Sequence, residues 1–383
     1  MNHRQRVLAA LRREDPDSTP FDLRFTRGAW ATFHARTGAS DPQDYFDIDY
    51  RFAPLNPPST LPDFTRYFAG RVPDWPAMPW ADYRPVLMEP GSRQYPHFFL
   101  LGERTAINEW GEYRIYDEQL SYHRKVYPLG DPECTPQQVD TYPFPDVFAE
   151  ERYSGVAEGI ADLHRRGLAD LLFLEMTIFE KAWRIRGLEN LLVDFLVRPA
   201  VAERVLDRVA GRTRYIATRY AAAGCDIICL GDDVGAERSM LMAPRLWRKW
   251  LKPRLAATVQ AIKTANPATI VFYHSDGNIE AIVPDLIEIG IDVLNPVQPE
   301  AVDTAGLMRT YGASLSFWGG IGVQTTLPFG TPGDVRRAVR DLLRNAGPQG
   351  GLVVAPSHVI EPDVPWENIE AFVDAARQYG RRG

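Results

Sequence analysis

The sequence is poor in several features that would each point to a class of protein. It has three cysteines among 383 residues, Cys134, Cys225 and Cys229, which are too few for a disulfide framework. No apolar run approaches the roughly 20 residues that a membrane helix needs. Acidic residues outnumber basic ones by 50 to 43, for a net charge of −7, which argues against a nucleic-acid binder. We therefore expect a cytoplasmic protein that binds neither nucleic acid nor a membrane.

From about residue 150, short apolar runs alternate with amphipathic helical patterns. This alternation is typical of parallel strands joined by helices. The predicted strands are 21–25, 171–175, 226–230, 269–274, 292–296, 314–318 and 351–356. Their number comes close to the eight of a (β/α)8 TIM barrel, which is the α/β fold that we expect. An open doubly wound sheet is the competing topology, but the sequence lacks the Gly-rich phosphate loop that such a sheet normally carries.

Residues 26–150 break this rhythm and are rich in Pro, Tyr, Trp and Asp. We interpret them as a lid-like insertion over one barrel mouth, within a single domain that spans residues 1–383. The segment ERTAINEWGEYRIYDEQLSYHRKVYPL has alternating aromatics and is hairpin-like, and one more barrel strand is expected near residue 50. Trp110 and Tyr113 are expected to roof the site and exclude water from it.

Polar residues follow most of the predicted strands, at the ends where α/β barrels place their chemistry. These residues are Arg24, Arg27, Glu175, Asp232, Asp233, His274, Asp276, Asn295, Gln298 and His358. Each has a plain alternative role, such as a turn residue, a helix cap or a surface charge. If the barrel forms, however, all of them converge on one mouth.

The stretch FYHSDGN gives the most specific hypothesis, because His274 and Asp276 are two residues apart. On extended backbone, such residues point to the same side. Both side chains can then reach one divalent cation at about 2.0–2.2 Å, with His358 or Glu175 completing the ligands. The alternative is that Asp276 caps a helix beginning near Ile279 and that His274 only hydrogen-bonds to it.

The sequence resembles the uroporphyrinogen decarboxylase superfamily, which includes the methylcobamide:coenzyme M methyltransferases. The resemblance runs through most of the chain. Its most specific segments are HSDGNIEAIVPDLIEIGIDVLNPVQPEA, FWGGIGVQTTLPFGTPGDVRRAVRDLL and APSHVIEPDVPWENIEAF. It implies the barrel fold, but it does not by itself choose the reaction, because function depends on the site.

The methyltransferase branch of this superfamily binds zinc through a His-x-Cys pair and a second Cys near the last strand. Here His274 is kept, Asp276 stands in place of the first Cys, and Ser357, next to His358, occupies the region of the second. The resemblance therefore implies a divalent metal, with zinc as the expected ion, in a harder and less thiophilic site.

The decarboxylase branch uses no metal and holds its substrate with paired arginines after the first strand. Arg24 and Arg27 match these arginines with altered spacing, and His358 lies where that branch has a histidine. Guanidinium groups bind carboxylates bidentately, which suits an anionic substrate.

We expect a metal-dependent methyltransferase that acts on a small anionic or methylated substrate, with a metal-free decarboxylase (a lyase) as the alternative. Asp232, Asp276 and His358 are the expected catalytic residues. The expected substrate contacts are Arg24, Arg27, Trp110, Tyr113, Asn295 and Gln298. The resemblance also implies a corrinoid on a partner protein, and it leaves a homodimer open.

Overall fold

The structure is a computed structural model that describes residues 1–58, 61–72, 75, 85–86, 97–117, 122–346 and 351–381. The side chains of Glu175, Tyr116, Asp117, Tyr122 and His123 and of residues 85–86 lie outside this description. Among the helices in these ranges, none combines the length and the apolar character that crossing a membrane requires.

The strands fall into two sheets, one parallel and one antiparallel. In chain order they are β1 (Tyr50–Phe52), β2 (Pro85–Val86), β3 (Phe98–Leu100), β4 (Thr105–Asn108), β5 (Tyr113–Asp117), β6 (Tyr122–Val126), β7 (Ala169–Glu175), β8 (Ile227–Gly231), β9 (Ile270–His274), β10 (Val293–Asn295), β11 (Ser316–Ile321) and β12 (Leu352–Pro356).

The described residues also form helices, many of which connect strands of the parallel sheet. They are α1 (His3–Leu11), α2 (Arg27–Thr37), α3 (Pro42–Tyr45), α4 (Thr65–Phe68), α5 (Pro136–Asp140), α6 (Val156–Arg165), α7 (Phe179–Arg186), α8 (Leu188–Val197), α9 (Pro199–Ala222), α10 (Pro244–Trp250), α11 (Lys252–Ala265), α12 (Val283–Glu288), α13 (Thr304–Tyr311), α14 (Thr326–Phe329), α15 (Pro332–Ala346) and α16 (Trp366–Gly380).

The parallel sheet has seven strands in the order β1-β7-β8-β9-β10-β11-β12. From β7 to β12, strands that are neighbours in the sheet are also consecutive in the chain, as helical crossovers between parallel strands require. β1 and β7 are neighbours in the sheet although β2 to β6 lie between them in the chain. Six of the strands lie where the alternating pattern predicts them. The helix that begins at Pro332 is capped by Thr331, whose Oγ1 accepts the Asp334 N–H at 3.3 Å.

Residues 21–25 do not form the continuous strand that the sequence predicts. They run parallel to β12 but make only single bridges, from Phe21 to Val354 and from Phe25 to Ile360. Between these bridges the neighbouring chain leaves the sheet after Pro356, at the end of β12. The backbone of residues 21–25 therefore has a partner at each end of the segment rather than along its length.

The two ends of the parallel sheet meet, so the sheet curls in the manner of a TIM barrel. Asp22, next to β12, accepts hydrogen bonds from Tyr50 Oη on β1 at 2.9 Å and from Trp318 Nε1 on β11 at 3.1 Å. The Trp318 ring makes edge contacts with Tyr50 and with Phe272 at 5.3 Å each. Buried aromatic side chains therefore fill the interior of the curled sheet.

The antiparallel sheet has the order β2-β3-β4-β5-β6 and belongs to the region predicted as an insertion. The predicted hairpin corresponds to β4, β5 and β6, which pair antiparallel. Before this sheet, α2 follows the segment beside β12, and β1 pairs with β7 in the parallel sheet. The chain therefore departs from the barrel-like frame after β1 rather than at residue 26.

Candidate functional site

The register of the parallel sheet aligns three predicted site positions, Glu175, His274 and Asn295, in one row across neighbouring strands. Gly231 on β8 pairs with His274 on β9, and His274 pairs with Asn295 on β10. Glu175 at the end of β7 pairs with Gly231, although its side chain lies outside the described residues. The carboxyl ends of four neighbouring strands therefore form one row, and the loops that follow them share one space.

A hydrogen-bond chain orients the His274 ring, which is buried. Asn295 Nδ2 donates to the Trp318 carbonyl at 2.8 Å, so the amide oxygen of Asn295 faces His274. His274 Nδ1 lies 2.5 Å from that oxygen and donates its proton to it. When the ring is neutral, it is then the tautomer with its lone pair on Nε2, an arrangement in which this nitrogen can bind a metal.

Two carboxylates face the Nε2 atom of His274. Asp233 Oδ1 lies 3.7 Å from it and Asp276 Oδ1 lies 3.9 Å from it. The Asp276 N–H also donates to Asp233 Oδ1 at 2.8 Å, which ties the two loops together. One ligand atom from each of the three residues lies within 4.8 Å of the others. We call Asp233, His274 and Asp276 the candidate metal centre.

The turn after His274 depends on Gly277. Its φ is +78°, and a Cβ there would lie 2.7 Å from the carbonyl oxygen and 2.8 Å from the nitrogen of Ala236. The loop after β8 therefore packs backbone to backbone against this turn. The next turn is capped by Asn278, whose Oδ1 accepts the Glu280 N–H at 3.2 Å. This cap removes the need for Asp276 to cap the helix.

A cavity of about 410 Å³ opens beside the candidate metal centre and is lined by Asp276, Gln298 and His358 among others. The Gln298 side chain accepts the Gly277 N–H at 3.3 Å. His358 is exposed and does not belong to the group of mutually close ligand atoms. The structure thus brings His358 to the predicted mouth, but the third member of the centre is Asp233.

Asp232 is buried and turned away from that cavity. Its carboxylate accepts the N–H groups of Ile178 at 3.0 Å and of Glu180 at 2.9 Å, at the start of α7. Burial raises the pKa of Asp232 to about 7, although these backbone N–H groups oppose the rise. The predicted catalytic carboxylate therefore caps a helix, and its contacts favour a structural role.

The two aromatic residues predicted to cover the site, Trp110 and Tyr113, lie in different surroundings. Tyr113 is fully buried and packs against Phe68 at 5.3 Å and Trp75 at 6.4 Å, inside the core of the insertion. Trp110 instead lies at the junction with α7, where Lys181 Nζ is 4.5 Å from its ring centroid. In this structure the neighbouring aromatics cover the Tyr113 ring, and a substrate contact at Tyr113 stays a prediction.

The two predicted arginines also differ. Arg24 is partly buried, with its guanidinium 4.9 Å from the Phe173 ring centroid and Nε 3.6 Å from Asp22 Oδ2. Arg27 is the exposed first residue of α2. Only Arg24 is therefore directed toward the interior of the curled sheet.

A second group of close ligand atoms lies at the opposite strand ends: His164, Asp170 and Asp226. His164 Nε2 is 2.8 Å from Asp170 and 3.0 Å from Asp226, and the hydrogen bond to Asp170 raises the pKa of His164. Arg4 donates to both oxygens of Asp226 at 2.8 Å. Arg4 and, when it is protonated, His164 pair with the two carboxylates, so this group is a polar network that holds α1 and α6 to the sheet.

A TIM-barrel-like α/β fold with polar residues gathered at the strand ends defines the class of this protein. The model of the uroporphyrinogen decarboxylase (URO-D) family matches residues 119–379. The chain belongs to this family. The matched range contains all three residues of the candidate metal centre, whereas Arg24 precedes it.

The relatives of the chain carry two different activities. Methylcobamide:CoM methyltransferase MtaA of Methanosarcina barkeri is 29% identical over 178 residues, which cover 46% of this chain and 49% of that protein. Uroporphyrinogen decarboxylase of Coxiella burnetii is 24% identical over 188 residues, which cover 48% of each chain. The chain therefore matches about half the length of these curated relatives.

A solved methyltransferase from Methanosarcina mazei is similar to the chain along its whole length. It covers 99% of both chains with a TM-score of 0.63 and 17% sequence identity. At that identity the similarity shows the fold and leaves the reaction open.

Proposed function

We propose that the protein is a metal-dependent methyltransferase whose metal is held by Asp233, His274 and Asp276. The observation that carries this proposal is the Asn295–His274 hydrogen bond, because it directs the Nε2 lone pair toward two carboxylates. A simple helix cap or turn would not need a histidine with a fixed tautomer. The relative with methylcobamide:CoM methyltransferase activity supports methyl transfer.

The residues present fit a divalent cation. One imidazole nitrogen and two carboxylate oxygens are common zinc ligands, and three protein ligands leave a coordination position for substrate. With no thiolate among them, the set also suits harder ions such as Mn²⁺. A bound ion would supply Lewis-acid activation of a substrate atom. The chain itself orients His274 through Asn295 and presents Gln298 and His358 along the adjoining cavity.

The proposed substrate is a small anionic or methylated molecule, and the proposed methyl source is a corrinoid carried by a partner protein. Arg24 supports an anionic group, because its partly buried guanidinium faces the interior beside Phe173. We also propose that the antiparallel sheet covers the site as a lid. Trp110, between β4 and β5, packs on Lys181 of α7 and so joins this sheet to a helix that follows β7.

Decarboxylation without a metal is the second candidate function. Arg24 favours it, because a guanidinium at this position suits a carboxylate substrate in the absence of any ion. The uroporphyrinogen decarboxylase relative supports it as well. In that case His358, exposed in the cavity, would assist proton transfer.

The His274→Ala variant separates the two candidates. We expect wild-type protein to bind one divalent ion per chain and to demethylate methylcobalamin when coenzyme M is offered as acceptor. His274→Ala should lose both properties but keep its fold, and His358→Ala should keep its metal because it lies outside the candidate metal centre. The measurements are metal content by mass spectrometry, corrinoid absorbance and circular dichroism.

Wild-type protein that is fully active without any metal would contradict the methyltransferase proposal. Carbon dioxide release from a carboxylate substrate by such protein would establish the decarboxylase in its place.

A further inference from the structure

We propose that Glu180 is a positioning residue for Asp233, and that through Arg184 it couples the antiparallel sheet to the candidate metal centre. The inference rests on the proposed function, since it treats Asp233 as a metal ligand. It concerns residues on α7 and on the insertion that do not touch the metal themselves. Three hydrogen-bonded contacts support the inference.

The first contact joins α7 to the loop that holds Asp233. Glu180 is buried, and its Oε2 accepts the Asp233 N–H at 3.2 Å. The backbone N–H of Glu180 donates to the neighbouring carboxylate of Asp232 at 2.9 Å. One residue at the start of α7 therefore fixes two consecutive residues after β8, one through its side chain and one through its backbone.

The second contact acts on the carboxylate of Asp233. Asp233 Oδ1 accepts the Asp276 N–H at 2.8 Å. Asp233 is thus held at its backbone by Glu180 and at its side chain by the loop after β9. With both ends fixed, its Oδ1 stays on the side of His274 Nε2, 3.7 Å away. Such outer partners fix the orientation of a ligand and strengthen metal binding.

The third contact reaches the antiparallel sheet. Arg184, one turn further along α7, donates through Nη2 to Glu180 Oε1 at 3.2 Å and through Nη1 to Glu112 Oε1 at 2.6 Å. Glu112 is buried beside β5 and also accepts Arg114 Nε at 2.9 Å. The path from the insertion to the metal centre is therefore a continuous chain of hydrogen bonds.

This chain of hydrogen bonds predicts that Glu180→Gln has a specific defect. Two donors, the Asp233 N–H and Arg184, lie on opposite oxygens of Glu180, and a glutamine offers one acceptor oxygen for both. The charged Arg184 competes for that oxygen, so the Asp233 N–H loses its partner. Asp233 should then be less well held, while Asp233, His274 and Asp276 themselves remain intact.

The test is Co²⁺ binding to the full chain, followed by absorption in the visible range and by competition with a chelator. We expect Glu180→Gln to weaken Co²⁺ binding by about 10- to 100-fold, as for other residues that orient metal ligands. The visible spectrum of bound Co²⁺ should also change, because the ligand geometry changes. A purely structural role for Glu180 would lower the melting temperature without altering the spectrum.

Glu109→Gln is the matched control. Glu109 is also buried and also receives two donors on opposite oxygens, both from Arg152, at 2.5 and 2.9 Å. Neither contact leads to Asp233, so this variant should keep the wild-type dissociation constant and spectrum. Glu112→Gln, which loosens Arg184 and leaves Glu180 in place, should weaken binding in the same direction by a smaller factor. Glu112→Gln also serves as the test variant if Glu180→Gln does not fold.

Wild-type affinity and spectrum in Glu180→Gln, or in Glu112→Gln when the first variant is unfolded, would overturn the inference and leave the proposed function intact. Wild-type protein that binds no Co²⁺ would overturn the proposed function, and the role of Glu180 with it. The two failures are therefore distinguishable.

Discussion

At the scale of single residues, the behaviour of His274 depends on which ring nitrogen carries the proton. Asn295 decides this, because its amide is itself oriented by the Trp318 carbonyl at 2.8 Å. A neutral imidazole with its lone pair on Nε2 can bind a cation, whereas the other tautomer would present an N–H to the carboxylates. Under the proposed function Asn295 orients the ring of His274, in addition to the substrate contact that the sequence predicts.

We expect Asn295→Leu to weaken metal binding by about 10- to 100-fold, because the tautomer of His274 is no longer fixed. The variant also leaves a buried Nδ1–H and a buried carbonyl without partners. The free energy of unfolding should therefore fall by about 1–3 kcal/mol. Titration with Zn²⁺ and urea denaturation measure the two effects, and Asn295→Asp, which can still accept from His274, should retain more of the affinity. Equal affinity in wild-type and Asn295→Leu protein would contradict this role.

The sequence predicted His274 and Asp276 as a pair, and the structure brings them close together, but the sequence did not predict Asp233 as their partner. His274 and Asp276 follow directly from spacing on an extended strand. Asp233 stands next to Asp232 in the chain, and nothing local distinguishes a ligand from a helix cap in such a pair. The two residues differ because the carboxylate of Asp232 accepts hydrogen bonds from N–H groups at the start of α7. Contacts between residues more than 50 positions apart decide it.

At the scale of elements, the junction between α7 and the antiparallel sheet concentrates buried charge. Lys181 is buried beneath Trp110, and burial lowers its pKa to about 8, although the neighbouring Glu109, Glu112 and Asp232 oppose the shift. The strands of the parallel sheet could be predicted because runs of apolar residues indicate buried segments. This junction could not, since its partners come from an irregular segment whose pairing depends on tertiary contacts.

The Lys181→Met variant tests this junction through pH. At Lys181 the folded state binds fewer protons than the unfolded state between pH 8 and 10.5, so the contribution of Lys181 to the wild-type free energy of unfolding should rise across this window. The full shift corresponds to about 3 kcal/mol. Lys125 and Cys225 titrate in the same window in both proteins, so the quantity to measure is a difference. Wild-type protein should gain stability relative to Lys181→Met between pH 8 and pH 10.5 in urea denaturation. Lys249→Met is the control, because Lys249 also packs on a tryptophan ring, at 4.7 Å, but is exposed. The same change of stability with pH in wild-type and Lys181→Met protein would contradict this role of Lys181.

At the scale of the whole molecule, one carboxylate links the two edges of the parallel sheet. Asp22 lies in the segment beside β12 and accepts from Tyr50 on β1, at the opposite edge. The sequence predicted the strand that contains Asp22 but not this link, because the alternation of strands and helices does not show how a sheet closes. A buried carboxylate that accepts from two ring donors is a costly arrangement unless both bonds form. The closure of the sheet should therefore depend on Asp22.

We expect Asp22→Leu to lower the free energy of unfolding by about 3 kcal/mol, because the Tyr50 hydroxyl and Trp318 Nε1 are left buried without an acceptor. Tyr50→Phe removes one of these donors, so it should cost less in the Asp22→Leu background than in wild-type protein. The coupling in this double-mutant cycle should be about 1 kcal/mol or more. Urea denaturation of the four proteins measures it. Strictly additive effects would show that Asp22 and Tyr50 do not join the edges, and that helix packing alone keeps the sheet curled.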